Sequence, residues 1–476
     1  MKKFTILLIG LITAAMFSVN AATIKHNAPE KTWMQYKTPA EAGWSAEKLK
    51  EAHNYFKKIG SSTVMLIYKG KVVVAWGNVD KDMPAASIRK VFLSALYGIY
   101  VDKGVINIHD TLQDINFNDK PPLTHSERQA TIFDMLTCRS GISRKGANAE
   151  TQTIKIVNGK EVIIPKYLLP PEAKPGTVYY YSNWNFNALG GIFNQLSDKD
   201  LFKVFDKDIA KPIGMQDFSL IDTWYEYNKK VTLYPAYHFI MSTRDMSRFG
   251  QLYLNDGNWN GEQLLSKKWV KESTKEYCLE SKNAKTGEGY LWATHRKGFY
   301  KNHPEFDKAG TGYQILAVFP KDKMVVVVRA NFAKSLTDEN YKYVSGDKTF
   351  KLLQLLVSAK TNPTIKNPTY VPLKSTKKHI KTINLNRKEL KSYIGKYVLD
   401  KNPVGLKSVI VYIQNKQLIG KFIPLGIKLI LLPTSKNHFM ISILDVPIKF
   451  QMDKKGDVAN FTFTMKGRKF IGKKEK

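Results

Sequence analysis

Apolar positions along the chain follow two periods, and the switches between them outline the architecture. Ala46–Lys58 carries a helical repeat. Thr63–Tyr68 and Lys71–Trp76 are β-rich runs around Lys69-Gly70, which predicts a hairpin. From Ala85 to Tyr97 neither proline nor glycine interrupts an apolar run that Pro84 introduces. Proline suits the first turn of a helix, so a buried helix is expected there, ending near Gly104. Thr131–Thr137 reads as a short helix closed by Arg139-Ser140-Gly141, and Ala188–Leu196 as a longer one. Ser242 with Asp245 suggests a capping box for a helix through Leu254. Tyr313–Phe319 and Met324–Ala330 form a second hairpin, and Phe350–Ser358 an apolar helix.

One hairpin near each end with helices between predicts an α+β domain: an antiparallel β-sheet completed from both ends, flanked by helices and a helical subdomain. Residues 23–44 are polar and read as a loosely packed leader, and 144–177 as an extended loop over a site. The stretch 360–388 lacks periodicity and reads as a linker. After it, β-rich runs recur at Val409–Ile413, Gln417–Ile423, Lys428–Leu432, Phe439–Ile443, Ile448–Met452 and Phe461–Met465. These predict a small all-β domain, barrel or sandwich. The expected layout is a signal peptide over 1–21, a large domain over 22–360, a linker over 361–388 and the β domain over 389–476.

Composition refines this picture. Lys2 and Lys3, an apolar core from Phe4 to Phe17 and small residues at Ala21 and Ala22 match a cleaved secretory signal. Export to the periplasm or medium is therefore expected, with no transmembrane segment afterwards. The formal charge of +33 is spread along the chain instead of being gathered in a tail. It would draw the protein to acidic envelope surfaces such as cell-wall polymers or anionic lipids. No nucleic-acid-binding signature accompanies it, so nucleic acid is not an expected partner. Cys138 and Cys278 are the two cysteines, and sequence does not show whether they approach.

The candidate chemistry starts at Ser87-Ile88-Arg89-Lys90. On a helix, positions three apart share a face, so the Lys90 amine can lie beside the Ser87 hydroxyl. A desolvated lysine can lose its proton and serve as base. Ser45/Lys48, Ser345/Lys348 and Ser375/Lys378 share the spacing, but only Ser87 heads a long apolar helix. None of the nine histidines falls in a pattern such as His-Glu-x-x-His, so no metal or other cofactor is expected. Neither a Gly-x-Ser-x-Gly elbow nor a phosphate-binding loop is present.

Two further stretches follow in order, Tyr181-Ser182-Asn183 and Lys308-Ala309-Gly310. The set resembles the serine hydrolases of the β-lactamase and penicillin-binding-protein superfamily, in the branch with a Tyr-x-Asn second motif. That branch includes class C β-lactamases, DD-peptidases, esterases and 6-aminohexanoate-dimer hydrolases. The likeness spans roughly residues 60–360. Tyr253-Leu254-Asn255 and Lys285-Thr286-Gly287 repeat two motifs, but the first runs into a turn and the second lies in polar sequence. Lys308 instead leads straight into the second hairpin. The resemblance implies a β-lactamase/transpeptidase-like fold and an acyl-enzyme on Ser87, with Lys90 and Tyr181 sharing proton transfer. It also implies Asn183 orienting the scissile bond, Lys308 and Gly310 lining the site, and the Ser87 and Thr311 N–H groups as oxyanion hole. The implied partner is a small ester, amide or peptide. Ala309 departs from the usual Thr or Ser, which argues against efficient β-lactam turnover. A non-catalytic envelope-binding or sensing protein on the same fold is the alternative reading, as is a β-lactamase or DD-peptidase. The complete Ser, Lys, Tyr and Lys set favours catalysis.

Overall fold

The computed structural model describes residues 28–475 apart from residue 30 and short stretches at 149–151, 158–159, 166–168, 171–172, 283, 337–339, 376–380, 401–405, 415–416, 424–427, 442, 455 and 466. The expected signal peptide lies outside the described residues.

A ten-stranded sheet runs in the order 278–279, 286–288, 293–295, 305–310, 314–319, 324–329, 63–68, 71–76, 34–36, 370–372. It is antiparallel except where Gln35 pairs in parallel with Val72. As expected, the two hairpins meet at its centre, Thr63–Tyr68 pairing with Met324–Arg329. These strands are apolar on both faces because both faces are covered, and alternate side chains enter different cores. Val64, Leu66, Ile315, Ala317, Val326 and Val328 pack against the helices Ala46–Ile59 and Gly346–Ser358. Met65, Ile67, Leu316, Val318, Val325 and Val327 face the other core, which holds the helices Arg89–Asp102, Asn183–Ser197 and Thr243–Leu254. The helix after Ser87 is buried from Arg89 through Tyr100, which accounts for its unbroken apolar run.

Several elements differ from the sequence reading. The leader is not loose: Trp33 and Tyr36 are buried and Met34–Tyr36 is an inner strand. Its outer partner, Tyr370–Pro372, comes from the expected linker, and Leu373 N donates to Trp33 O at 2.7 Å. Short, polar-flanked edge strands carry too little pattern to be seen singly. The stretch 144–177 contains a hairpin, Gln152–Val157 with Lys160–Pro165. The Ser242 hydroxyl does accept from Asp245 N, but the Asp245 carboxylate accepts from Gln216, Asp217 and Phe218 N instead of closing a capping box.

The C-terminal strands close into an eight-stranded antiparallel barrel. Two strands beyond the six expected runs complete it, Gly395–Leu399 and Arg468–Lys474, paired to each other through Tyr397 and Lys474. Its interior is filled by Tyr393, Tyr397, Phe439, Phe450, Phe461 and Phe463. Trp224 and Ile240 of the larger domain join that same apolar cluster, so the barrel docks on the strands Thr223–Glu226 and Ala236–Met241. No helix among the described residues is long and apolar enough to cross a membrane.

Candidate active site

Ser87 lies in a 3-10 turn, Ala86–Ile88, that runs directly into the helix Arg89–Asp102. Ala86 adopts φ 50°, a left-handed conformation costly for a residue with a Cβ. The turn is held by Ala85 N donating to Phe239 O at 2.8 Å and by the pairing of Met83 and Pro84 with Met241 and Ile240. The result leaves Ser87 partly accessible while Lys90, one turn on, has no exposed surface.

The Lys90 Nζ donates to Ser87 Oγ at 2.8 Å, as the three-residue spacing requires. The Tyr181 hydroxyl reaches the same oxygen at 2.9 Å from the loop preceding the helix Asn183–Ser197. That helix starts five residues earlier than its apolar repeat suggests, so Asn183 sits buried in its first turn. The Lys90 ammonium position lies 4.9 Å from the Tyr181 ring centre and 4.4 Å from that of Phe186. Among the described residues no carboxylate forms an ion pair with Lys90. Burial, with Arg89 and Lys308 adding repulsion, holds its pKa well below the ordinary lysine value. Burial acts oppositely on Tyr181, raising its phenol pKa despite the nearby Lys308 charge and the Ser87 hydrogen bond.

Lys308 comes from the strand Glu305–Gly310. A Cβ on Gly310 would stand 3.1 Å from Ala85 O and 3.2 Å from Ser87 N, tighter than ordinary packing, so glycine lets the strand lie this close to the nucleophile without displacing its neighbours. Ala293–His295 pairs with residues 305–307 only, which leaves 308–310 as an edge beside Ser87. Thr311, the second oxyanion donor that the resemblance implies, opens the exposed turn that follows the strand. The Lys308 Nζ lies 5.9 Å from the Tyr181 ring centre.

Sequence reasoning missed Glu288. Its Oε1 accepts from Lys308 Nζ at 2.9 Å, and both side chains are almost wholly buried. Burial alone would lower the Lys308 pKa, but the Glu288 carboxylate outweighs it and keeps Lys308 above its ordinary value. The two site lysines are thereby differentiated: Lys308 is held as a cation, and Lys90 is biased towards the neutral amine. A glutamate directly after the decoy Lys285-Thr286-Gly287, before the apolar run Tyr290-Leu291-Trp292, was the available signal. Lys285 itself is exposed. Cys138 and Cys278 are both free thiols, and the Cys138 thiol approaches Glu288 Oε1 at 3.7 Å.

The family model described as Beta-lactamase matches residues 51–347. The D-alanyl-D-alanine-carboxypeptidase/endopeptidase AmpH of Escherichia coli (strain K12) is 24% identical over 141 residues, 29% of this chain. That match spans only 37% of the relative's own length. A candidate 6-aminohexanoate-dimer hydrolase structure from Bacillus anthracis is 17% identical, with a TM-score of 0.49 over 69% of this chain and 90% of that one. The octameric penicillin-binding protein homologue from Pyrococcus abyssi is 13% identical, with a TM-score of 0.47 over 89% of this chain and 99% of that one. The family model covers more than half of the 476 residues and includes Ser87, Lys90, Tyr181, Asn183, Glu288 and Lys308, and the chain belongs to the beta-lactamase family.

Proposed function

We propose that this serine hydrolase cleaves esters and small amides through an acyl-enzyme on Ser87. The observation that carries the reading is the placement of one serine oxygen between a buried amine at 2.8 Å and a phenol at 2.9 Å. Two titratable groups whose surroundings push their pKa values in opposite directions divide acid and base roles between them. Neutral Lys90 takes the Ser87 proton as Oγ attacks the carbonyl carbon. Tyr181, still protonated, donates to the departing alcohol or amine, and the proton that Lys90 took from Ser87 then passes to the Tyr181 phenolate, returning Lys90 to the neutral amine. In the second half, water attacks the acyl carbon, loses its proton to the same pair, and Ser87 leaves.

The N–H groups of Ser87 and Thr311 are assigned to the developing oxyanion, because Gly310 brings the start of that turn against Ser87 N. Asn183 orients the scissile group from the first turn of its helix, and Lys308, held charged by Glu288, keeps its ammonium beside Tyr181. The signal-like segment over residues 1–21 supports export as the setting, which the N-terminal sequence of the mature protein would test. Intact mass after incubation with a fluorophosphonate, and separately with a penicillin, tests nucleophile and substrate class together. A single adduct on the wild type and none on Ser87→Ala is expected; labelling that persists on another serine overturns the assignment.

A further inference from the structure

The face of the sheet turned away from Ser87 holds a second constellation. Glu305 and Asp307 stand two residues apart on the strand Glu305–Gly310 and so share a face, whereas Lys308 leaves the strand on the other side. The neighbouring strand, Ala293–His295, pairs His295 with Glu305 and Ala293 with Asp307. This brings one imidazole and two carboxylates together, with donor atoms all within 4.8 Å of one another. Glu305 has no exposed surface, Asp307 is 1% exposed and His295 8%. The rings of Tyr300 and Phe350 lie 5.2 Å from the His295 ring and close the cluster from above.

The hydrogen bonding in this cluster is incomplete. No N–H donor is aligned on either Glu305 carboxylate oxygen; its carboxyl lies against that of Asp307, whose Oδ2 faces His295. His295 Nε2 comes within 3.0 Å of Asp307 Oδ2 and 3.8 Å of Glu305 Oε1. Arg296 is the neighbouring cation, but its guanidinium donates to the backbone carbonyls of His295 and Glu305 and not to the carboxylates. Two carboxylates buried side by side repel each other, and within the cluster a protonated His295 offsets one of the two charges, which leaves room for a bound cation to take over that role.

We propose that His295, Glu305 and Asp307 form a binding site for a borderline divalent cation of the Zn²⁺ type, separate from the catalytic centre. Metal–ligand bonds of about 2.1 Å to imidazole and carboxylate put neighbouring donors roughly 3.0–3.4 Å apart, and the 3.0 and 3.8 Å separations lie close to that range. The cation would neutralise both carboxylates. One nitrogen and two oxygens favour Zn²⁺ over Mg²⁺, which prefers an all-oxygen shell. The bound ion would tie Ala293–His295 to the strand that carries Lys308. The linear sequence hides the site because its ligands sit on two strands and not on one helix.

The test uses the full-length protein stripped with a chelator and then titrated with Zn²⁺, Mn²⁺ or Mg²⁺. Binding is read by calorimetry and by metal content after gel filtration. About one equivalent of Zn²⁺ is expected, bound more tightly than Mn²⁺ and far more tightly than Mg²⁺, and it should raise the melting temperature. Loss of a ligand in Glu305→Gln or His295→Ala should weaken Zn²⁺ by about 10–100-fold or more, and Glu305→Gln preserves shape if the alanine variant folds poorly. X-ray absorption of the zinc-loaded wild type should show nitrogen and oxygen ligation with imidazole scattering. Wild type without stoichiometric binding, sulfur in the zinc shell, or affinity unchanged in Glu305→Gln would each overturn the proposal.

Discussion

Glu288→Gln replaces one carboxylate oxygen by an amide at nearly constant volume and leaves Lys308 as a buried, unpaired cation. At 2.9 Å and an effective dielectric constant near 20, the attraction lost is about 6 kcal/mol before solvation is counted. Both side chains are 5% exposed or less, so water cannot take over the lost contact. Breaking one side of such a pair costs about 3–5 kcal/mol net. The sheet domain extends from Met34 to Pro372, about 340 residues, and at about 2.1 cal/mol/K per residue its unfolding entropy is roughly 0.7 kcal/mol/K. The melting temperature of that domain should therefore fall by about 4–7 °C. Scanning calorimetry on the full chain measures it, the barrel transition serving as internal reference. Glu288→Gln with Lys308→Met removes the unpaired charge and should recover most of the loss, at the expense of turnover. A single variant melting within about 1 °C of wild type, or a double variant no better than the single, would refute the reasoning about this pair.

Lys90 gives a pH prediction for stability. The unfolded chain keeps its proton up to the ordinary lysine value of 10.5, whereas the folded protein releases it lower. The unfolded state thus binds more protons in that window, and stability rises with pH across it. Lys90→Met should lack this rise in denaturant titrations at successive pH values; equal slopes would count against a depressed Lys90. Chains cut at the C-terminal side should separate by where they stop. One ending at Lys360 loses the edge strand Tyr370–Pro372 and the Glu41–Thr369 hydrogen bonds, and should melt below one ending at Ser375; equal melting would show the strand to be dispensable. Esters should be turned over faster than nitrocefin, since Ala309 has no hydroxyl for the acid group of a β-lactam. A missing hydrogen bond to a charge costs about 1–3 kcal/mol, so Ala309→Thr should narrow the gap by roughly 10–100-fold, and no change would dismiss that contact.

Features encoded within a few consecutive residues were legible in the sequence. Ser87 and Lys90 meet because a helical turn brings positions three apart together, whatever surrounds them. The two hairpins and most barrel strands show as β-rich runs around turn residues, and the long apolar run after Ser87 reports a helix buried on all sides. Tyr181 and Lys308 were placed by order and by motif, not by any local force. The tertiary structure alone decided which charges share a site. Glu288 finds Lys308 across twenty residues, and His295 meets Glu305 and Asp307 only through strand register. The strand Met34–Tyr36 is held by Tyr370–Pro372, more than three hundred residues away. The outer barrel strands Gly395–Leu399 and Arg468–Lys474 likewise depend on each other to close the ring. Each of these segments is too short or too polar to declare itself, because its free energy comes from a partner distant in the chain. Local periodicity reports what a residue's neighbours in sequence can bury. Pairing across a sheet, and the protonation states that follow from it, depend on which groups the finished fold withdraws from water together.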